Sequence, residues 1–187
     1  MGGSSTWRGL LLAALCLPAA AADRVALCES CHGPGGNSIT ALTPSIAGQP
    51  VTFLENQLIF FREGLRNAPV MVPLMKGVAD GEITALARHF NQQPAKAPAE
   101  VKADAEAVAR GKAIAGKRHC GQCHLPSYRG RDQIPRLAGQ RQDYLLATML
   151  AYRDGKRTGA DTTMSEVLDG LGDADIRDLA TYLGSVP

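Results

Sequence analysis

Cys28-Glu29-Ser30-Cys31-His32 and Cys120-Gly121-Gln122-Cys123-His124 are two copies of one five-residue phrase, C-x-x-C-H. Residues three and four apart are neighbours on a helix surface, so helical spacing brings two thiols and an imidazole to one side of the backbone. That constellation reads as covalent attachment of a c-type haem: the thiols of Cys28 and Cys31, and of Cys120 and Cys123, each capture a vinyl group, and His32 and His124 are aimed at the iron. Other readings of paired cysteines fit less well. A zinc ribbon places its second C-x-x-C about 15–20 residues after the first, whereas Cys31 and Cys120 are most of a domain apart. A thioredoxin-type dithiol needs a βαβ context, and no run here has the alternation of a half-buried strand.

Outward from the motifs, the whole chain repeats. Pro44-Ser-Ile-Ala-Gly48-Gln49, Phe53-Leu54 and Phe61-Arg62-Glu63-Gly64-Leu65-Arg66 return as Pro135-Arg-Leu-Ala-Gly139-Gln140, Tyr144-Leu145 and Tyr152-Arg153-Asp154-Gly155-Lys156-Arg157. Self-similarity at a fixed period marks a duplicated structural unit. Each copy reads as all-α, a small helical bundle around one haem. The first helix ends in the haem motif, running from about Asp23 in copy one and from Asp104 to His119 in copy two. A Gly- and Pro-rich loop follows, then a middle helix over about Thr52 to Glu63, with a counterpart from Gln142 to Arg153. The last helix opens at Asp80, a suitable N-cap. Its Ile83, Leu86, Ala87 and Phe90, like Ile176, Leu179, Ala180 and Leu183 after Asp173, follow the helical i, i+3, i+4, i+7 stripe. The expected domains are 23–91 and 104–187, joined by a polar linker over 92–103 that contains Pro94 and Pro98.

Residues 1–22 have the layout of a secretory signal peptide, with Arg8 in the n-region, an apolar stretch from Leu10 to Ala22, and small residues ahead of Asp23. The apolar stretch falls short of the roughly 20 residues needed to span a bilayer, so cleavage after Ala22 and a periplasmic location are expected, with no transmembrane segment in the mature chain. Export would favour disulfides, but haem consumes four thiols and the fifth, Cys16, leaves with the leader. The chain carries 20 Lys and Arg against 18 Asp and Glu. A near-neutral exported chain does not suit nucleic acid. Basic residues gather between Arg110 and Arg141, which suits either steering of an acidic redox partner or a solvated face.

What fills the iron's sixth position separates electron transfer from chemistry at the metal, and thioether opposite imidazole is the electron-transfer pairing. Met71 and Met164 occupy matching places ahead of the last helix, so they are the expected sixth ligands. Met75, matched by Leu168, and Met149 read as core, and His89 and His119 as ordinary polar residues. Iron with both axial places filled has no open site for substrate, which points to electron transfer rather than catalysis.

Taken together, C-x-x-C-H, P-x-I/L-A-G-Q, Y/F-R-D/E-G-x-R and a Met ahead of the last helix, all present twice, resemble the two-domain, dihaem class I cytochromes c of the cytochrome c4 type. The resemblance covers nearly all of the mature chain. It implies two tandem class I cytochrome c domains, two covalent haems, and hydrogen bonds from His32 and His124 to the carbonyls of Pro44 and Pro135. It further implies an electron carrier serving a redox partner, an oxidase, reductase or dehydrogenase, soluble or membrane-bound. Gly-Asn-Ser followed by Pro-Ser-Ile-Ala-Gly also resembles the dihaem subunit of flavocytochrome c sulfide dehydrogenase, for which the role would be a dehydrogenase's dedicated acceptor. Two departures stand out: a short first helix before Cys28, and Leu125 where a glycine often follows the motif.

Overall fold

The computed structural model describes residues 19–97, 104–157 and 162–187. One helical group comprises α1 (Ala19–His32), α2 (Val51–Arg62), α3 (Met71–Met75) and α4 (Asp80–Gln92). The other comprises α5 (Ala105–Lys117), α6 (Cys120–Cys123), α7 (Gln142–Arg153), α8 (Thr163–Leu168) and α9 (Asp173–Ser185). Among the described residues there is no strand, only an isolated bridge between Arg131 and Ile134. The all-α reading therefore holds, and α2 packs on α3 and α4 as α7 packs on α8 and α9.

The apolar stripes of the last helices are buried as their spacing requires: Ile83, Leu86, Ala87 and Phe90 in α4, and Ile176, Leu179, Ala180 and Leu183 in α9. Around them the two cores differ. In the second half one continuous cluster joins Ala115, Leu145, Met149, Leu168, Ile176 and Leu179. In the first half the buried residues form two clusters, one on Leu54, Leu86 and Phe90, the other on Phe61, Met75, Val78 and Ile83. In this half α5 adds Ala115 to the cluster and lies directly on α9. Gly111 permits the approach, since a Cβ there would stand 2.1 Å from the carbonyl oxygen of Asp178. Arg110 grips the same Asp178 through two nitrogens, at 2.6 and 3.2 Å.

Several boundaries depart from the sequence expectation. Helix α5 stops at Lys117 instead of running into the cysteines, because His119 adopts φ +55° and turns the chain before the single turn of α6. The Arg118 guanidinium bonds the Asp169 carbonyl at 2.9 Å and fixes that turn to the far side of the domain. Helix α1, by contrast, runs unbroken through both cysteines to His32 and begins at Ala19, within the stretch read as leader. Asp80 and Asp173 are the first residues of their helices rather than caps, which are Ala79 and Gly172. Their carboxylates are instead taken by Arg62 and Arg153, each at 2.6 Å. Residues 1–18 of the expected leader, Cys16 among them, lie outside the described residues, as do linker positions 98–103. The described part of the linker is pinned: Asn37 donates to the Pro94 carbonyl at 3.1 Å and accepts from the Lys96 N–H at 2.8 Å.

Candidate haem centres

His32 closes α1 and His124 follows α6, and the two are 8% and 5% exposed. The Nδ1 of His32 lies 2.8 Å from the Pro44 carbonyl oxygen, and that of His124 lies 2.9 Å from the Pro135 oxygen. A carbonyl only accepts, so Nδ1 carries the proton in both rings and Nε2 is left with the free lone pair. Burial pushes both imidazoles below their ordinary pKa, against the opposing pull of the proline carbonyls. Each site is thus a neutral imidazole of fixed orientation, the form in which histidine ligates a metal.

The prolines are placed by backbone. After the motif the chain turns at Gly36 (φ +76°) and at Tyr128 (φ +54°). The Gly36 carbonyl receives the N–H groups of Ile46 and Ala47 at 2.8 and 3.1 Å, and the Tyr128 carbonyl those of Leu137 and Ala138 at 2.8 and 3.0 Å. The same segments are tied to the last helices by Gly48 N–H to the Phe90 carbonyl, 2.9 Å, and by Gly139 N–H to that of Leu183, 3.2 Å. The residue directly after each histidine is left-handed too, at Gly33 (φ +79°) and at Leu125 (φ +68°). A Cβ at Gly33 would stand 2.1 Å from the Asn37 carbonyl oxygen, so here only glycine fits. The leucine in the second half bears the backbone strain that the glycine avoids.

No disulfide joins Cys28, Cys31, Cys120 or Cys123. Burial pushes Cys28 up to about 11 and raises Cys120, so neither is an activated thiolate of the kind a redox dithiol needs. Among the described residues no group of three or more His, Cys, Asp or Glu could hold a bare metal ion. A zinc site is therefore not built here. Two thiols on one helical turn, followed by an imidazole with a free Nε2, form a donor set that fits a covalently held haem.

Met71 opens α3 and Met164 lies in α8, so both stand in short helices rather than in loops. Met71 packs against the cluster of Phe61, Met75, Val78 and Ile83, whereas Cys28 packs on the other cluster of that half. Met164 and Cys120 share the single cluster of the second half. Met75 and its counterpart Leu168 are buried, as is Met149, in keeping with core roles. His89 is partly buried, with its Nε2 atom sealed from water and without a partner, and His119 is exposed in the turn ahead of α6.

Sequence reading did not assign roles to several repeated polar residues. Arg62 donates to the Val78 carbonyl at 2.9 Å and Arg153 to that of Leu171 at 3.1 Å, so the arginine of each Y/F-R-D/E-G turn clamps the start of the last helix. The following arginines lie over aromatic rings, Arg66 at 4.6 Å from Phe61 and Arg157 at 4.8 Å from Tyr152. Arg66 also reaches the Tyr144 hydroxyl across the two halves at 3.3 Å. Burial pushes that phenol up, but Arg66 and Arg157 outweigh it and bring it down to about 8. The halves are further joined by Phe53 N–H to the Asp132 carbonyl, 3.0 Å, and by Leu42 N–H to Asp143 Oδ2, 3.0 Å. Repetition of these residues was visible in the chain; which element each one reaches was not. Of the basic residues between Arg110 and Arg141, Arg110, Arg118, Arg136 and Arg141 are bonded internally. Lys112, Lys117, Arg129 and Arg131 are exposed.

Comparison with known proteins agrees with this geometry. The cytochrome c family model matches residues 108–187. A thiosulfate dehydrogenase electron acceptor of Thiomonas intermedia is 34% identical over 90% of this chain and 82% of its own length. The cytochrome c4 of Pseudomonas aeruginosa is 31% identical over 88% of this chain and 86% of its own. Among solved structures, reduced recombinant cytochrome c4 from Pseudomonas stutzeri superposes with a TM-score of 0.82 at 28% identity, over 90% of this chain and 97% of that one. The chain belongs to the cytochrome c4 type of dihaem cytochrome c, an electron carrier made of two tandem class I cytochrome c domains with two covalently attached c-type haems.

Proposed function

We propose that this protein is a periplasmic carrier with two closed electron-transfer centres, one held by Cys28, Cys31, His32 and Met71, the other by Cys120, Cys123, His124 and Met164. The haems supply a one-electron ferric/ferrous change when bound. The protein's part is attachment, axial ligation, burial and orientation. His32 and His124 would hold the iron through Nε2, because the carbonyls of Pro44 and Pro135 engage Nδ1. That pair of matching hydrogen bonds is the observation that carries the reading. Met71 and Met164 would supply the thioether ligands, which would leave the metal no open place for substrate and raise its reduction potential. The domains run over 23–91 and 104–187 with the linker at 92–103. The leader at 1–22 directs export, and no helix among the described residues is long and apolar enough to cross a membrane.

The experiment is a haem stain after denaturing electrophoresis, with a pyridine haemochrome count and optical spectra of Met71→Ala and Met164→Ala. Two covalent haems per chain are expected, with each variant turning its own centre high-spin. Fewer than two haems, or a variant with unchanged spectra, overturns the assignment.

The partner reading has two forms. A shuttle to a respiratory oxidase or reductase is the general one. Similarity to the thiosulfate dehydrogenase electron acceptor favours a second, in which a periplasmic dehydrogenase acting on a sulfur compound is the donor. Stopped-flow reduction of the holoprotein by such a dehydrogenase, compared with oxidation by a terminal oxidase, separates the two. Rapid reduction supports the dedicated acceptor; slow reduction at saturating donor removes it.

A further inference from the structure

Each peptide that serves a histidine is held from behind by the opposite domain. The Pro44–Ser45 peptide accepts from His32 through its carbonyl at 2.8 Å, and its N–H, that of Ser45, donates to Gln140 Oε1 at 2.8 Å. Gln140 Nε2 in turn donates to the Ser45 carbonyl at 2.8 Å. The mirror arrangement is present in the other half. The Pro135–Arg136 peptide accepts from His124 at 2.9 Å, and the Arg136 N–H donates to Gln49 Oε1 at 2.9 Å. Gln49 Nε2 donates to the Arg136 carbonyl at 2.9 Å. Gln49 and Gln140 are 4% and 5% exposed, so these bonds are made away from water, where leaving one open is costly.

The chemistry of the peptide group gives this arrangement a consequence. The N–H and C=O of one peptide belong to a single resonance system. A partner that accepts from the N–H moves electron density onto the oxygen and makes it a better acceptor, the polarisation that couples hydrogen bonds in chains. A better acceptor on Nδ1–H makes the imidazole a more basic ligand, and a more basic ligand favours ferric over ferrous iron.

We propose that Gln49 and Gln140 are positioning residues that act in trans, each polarising the peptide behind the other domain's histidine and so lowering the reduction potential of the other domain's haem. This rests on the reading of His32 and His124 as axial ligands. It makes the potentials of the two centres a property of the joined molecule: a domain expressed alone would keep its histidine and its proline but lose the glutamine that sharpens their bond.

The test uses the full holoprotein carrying Gln140→Met or Gln49→Met, which keep the side-chain volume and remove the amide's two hydrogen bonds to the opposite domain; Gln140→Met also removes the bond that Gln140 Oε1 accepts from the Arg141 N–H at 2.9 Å. Spectroelectrochemical titration resolves the two centres, assigned through Met71→Ala and Met164→Ala, and NMR of the reduced protein follows the Nδ1–H resonance of each histidine. Gln140→Met is expected to raise the potential of the centre at His32 and move the His32 Nδ1–H resonance upfield, with the larger change there than at His124. Gln49→Met should do the converse. A larger shift in the mutated domain's own centre, equal shifts in both, or no shift overturns the proposal while leaving the axial assignment intact. Absence of His/Met spectra in the unmutated protein removes the axial assignment itself, and the proposal with it. Should a variant fail to mature, amide exchange in the unmutated protein decides: the N–H groups of Ser45 and Arg136 must be protected like those of the helix cores, and exchange at exposed-loop rates overturns the proposal.

Discussion

The two domains agree closely around His32 and His124 and diverge away from them. His32 to Pro44 and His124 to Pro135 differ by 0.1 Å, and the carbonyls of Gly36 and Tyr128 receive the same pairs of N–H groups. Behind this shared frame, the first domain enters its motif on one unbroken helix and splits its core in two. The second enters on a broken helix, has a continuous core, and places Leu125 in a left-handed turn where the first has Gly33. The two copies keep the atoms that set the direction of the histidine ring, and two different scaffolds supply that direction.

The comparison is most sharply broken at Gly33. Gly33→Ala forces a Cβ to within 2.1 Å of the Asn37 carbonyl, and we expect loss of the first haem, read as a halved haemochrome count with the second centre intact. Next is Gly111→Ala, which pushes α5 off α9 and should cost about 3 kcal/mol in denaturant unfolding of the second domain. Gly116→Ala, on the same helix with nothing within 4 Å, should instead add about 0.5–1 kcal/mol. Leu125→Gly removes the left-handed strain at the position where the halves differ, and should stabilise the second domain by about 1 kcal/mol without altering its spectrum. The smallest effect concerns Asp143 at the junction of the halves. Burial pushes its carboxyl up, but hydrogen bonds from Arg141 and from the Leu42 and Tyr144 N–H groups together hold it below the ordinary carboxylate value. A depressed folded pKa means that its contribution is complete above about pH 5 and disappears as pH falls through the folded value. Asp143→Asn should therefore lower stability to denaturant by under about 1 kcal/mol at neutral pH, and by progressively less as pH falls through the folded value.

Much of the centre was legible because its residues are close in sequence or repeated in it. Cys28, Cys31 and His32 lie within one helical turn and a residue more. Met71 and Met164 stood out only because two copies could be laid on one another. The helix stripes were legible through their period. Asp80 was misread as a cap because a local rule for helix starts competes with a distant partner, and Arg62 takes that carboxylate. The end of α5 was misread because the left-handed turn at His119 is stabilised from Asp169 through Arg118, some fifty residues away.

The amino-acid sequence by itself determined that there are two haem-binding units of one kind, pointed by type and spacing to candidate ligands, and determined that the last helices bury a helical stripe, since all of these follow from short-range periodicity and duplication. Only the tertiary structure decided what stands behind each ligand. Gln49 belongs to one domain by sequence and completes the other by contact, because a side-chain amide meets whichever backbone the packing of two domains places against it, and no local pattern encodes that meeting.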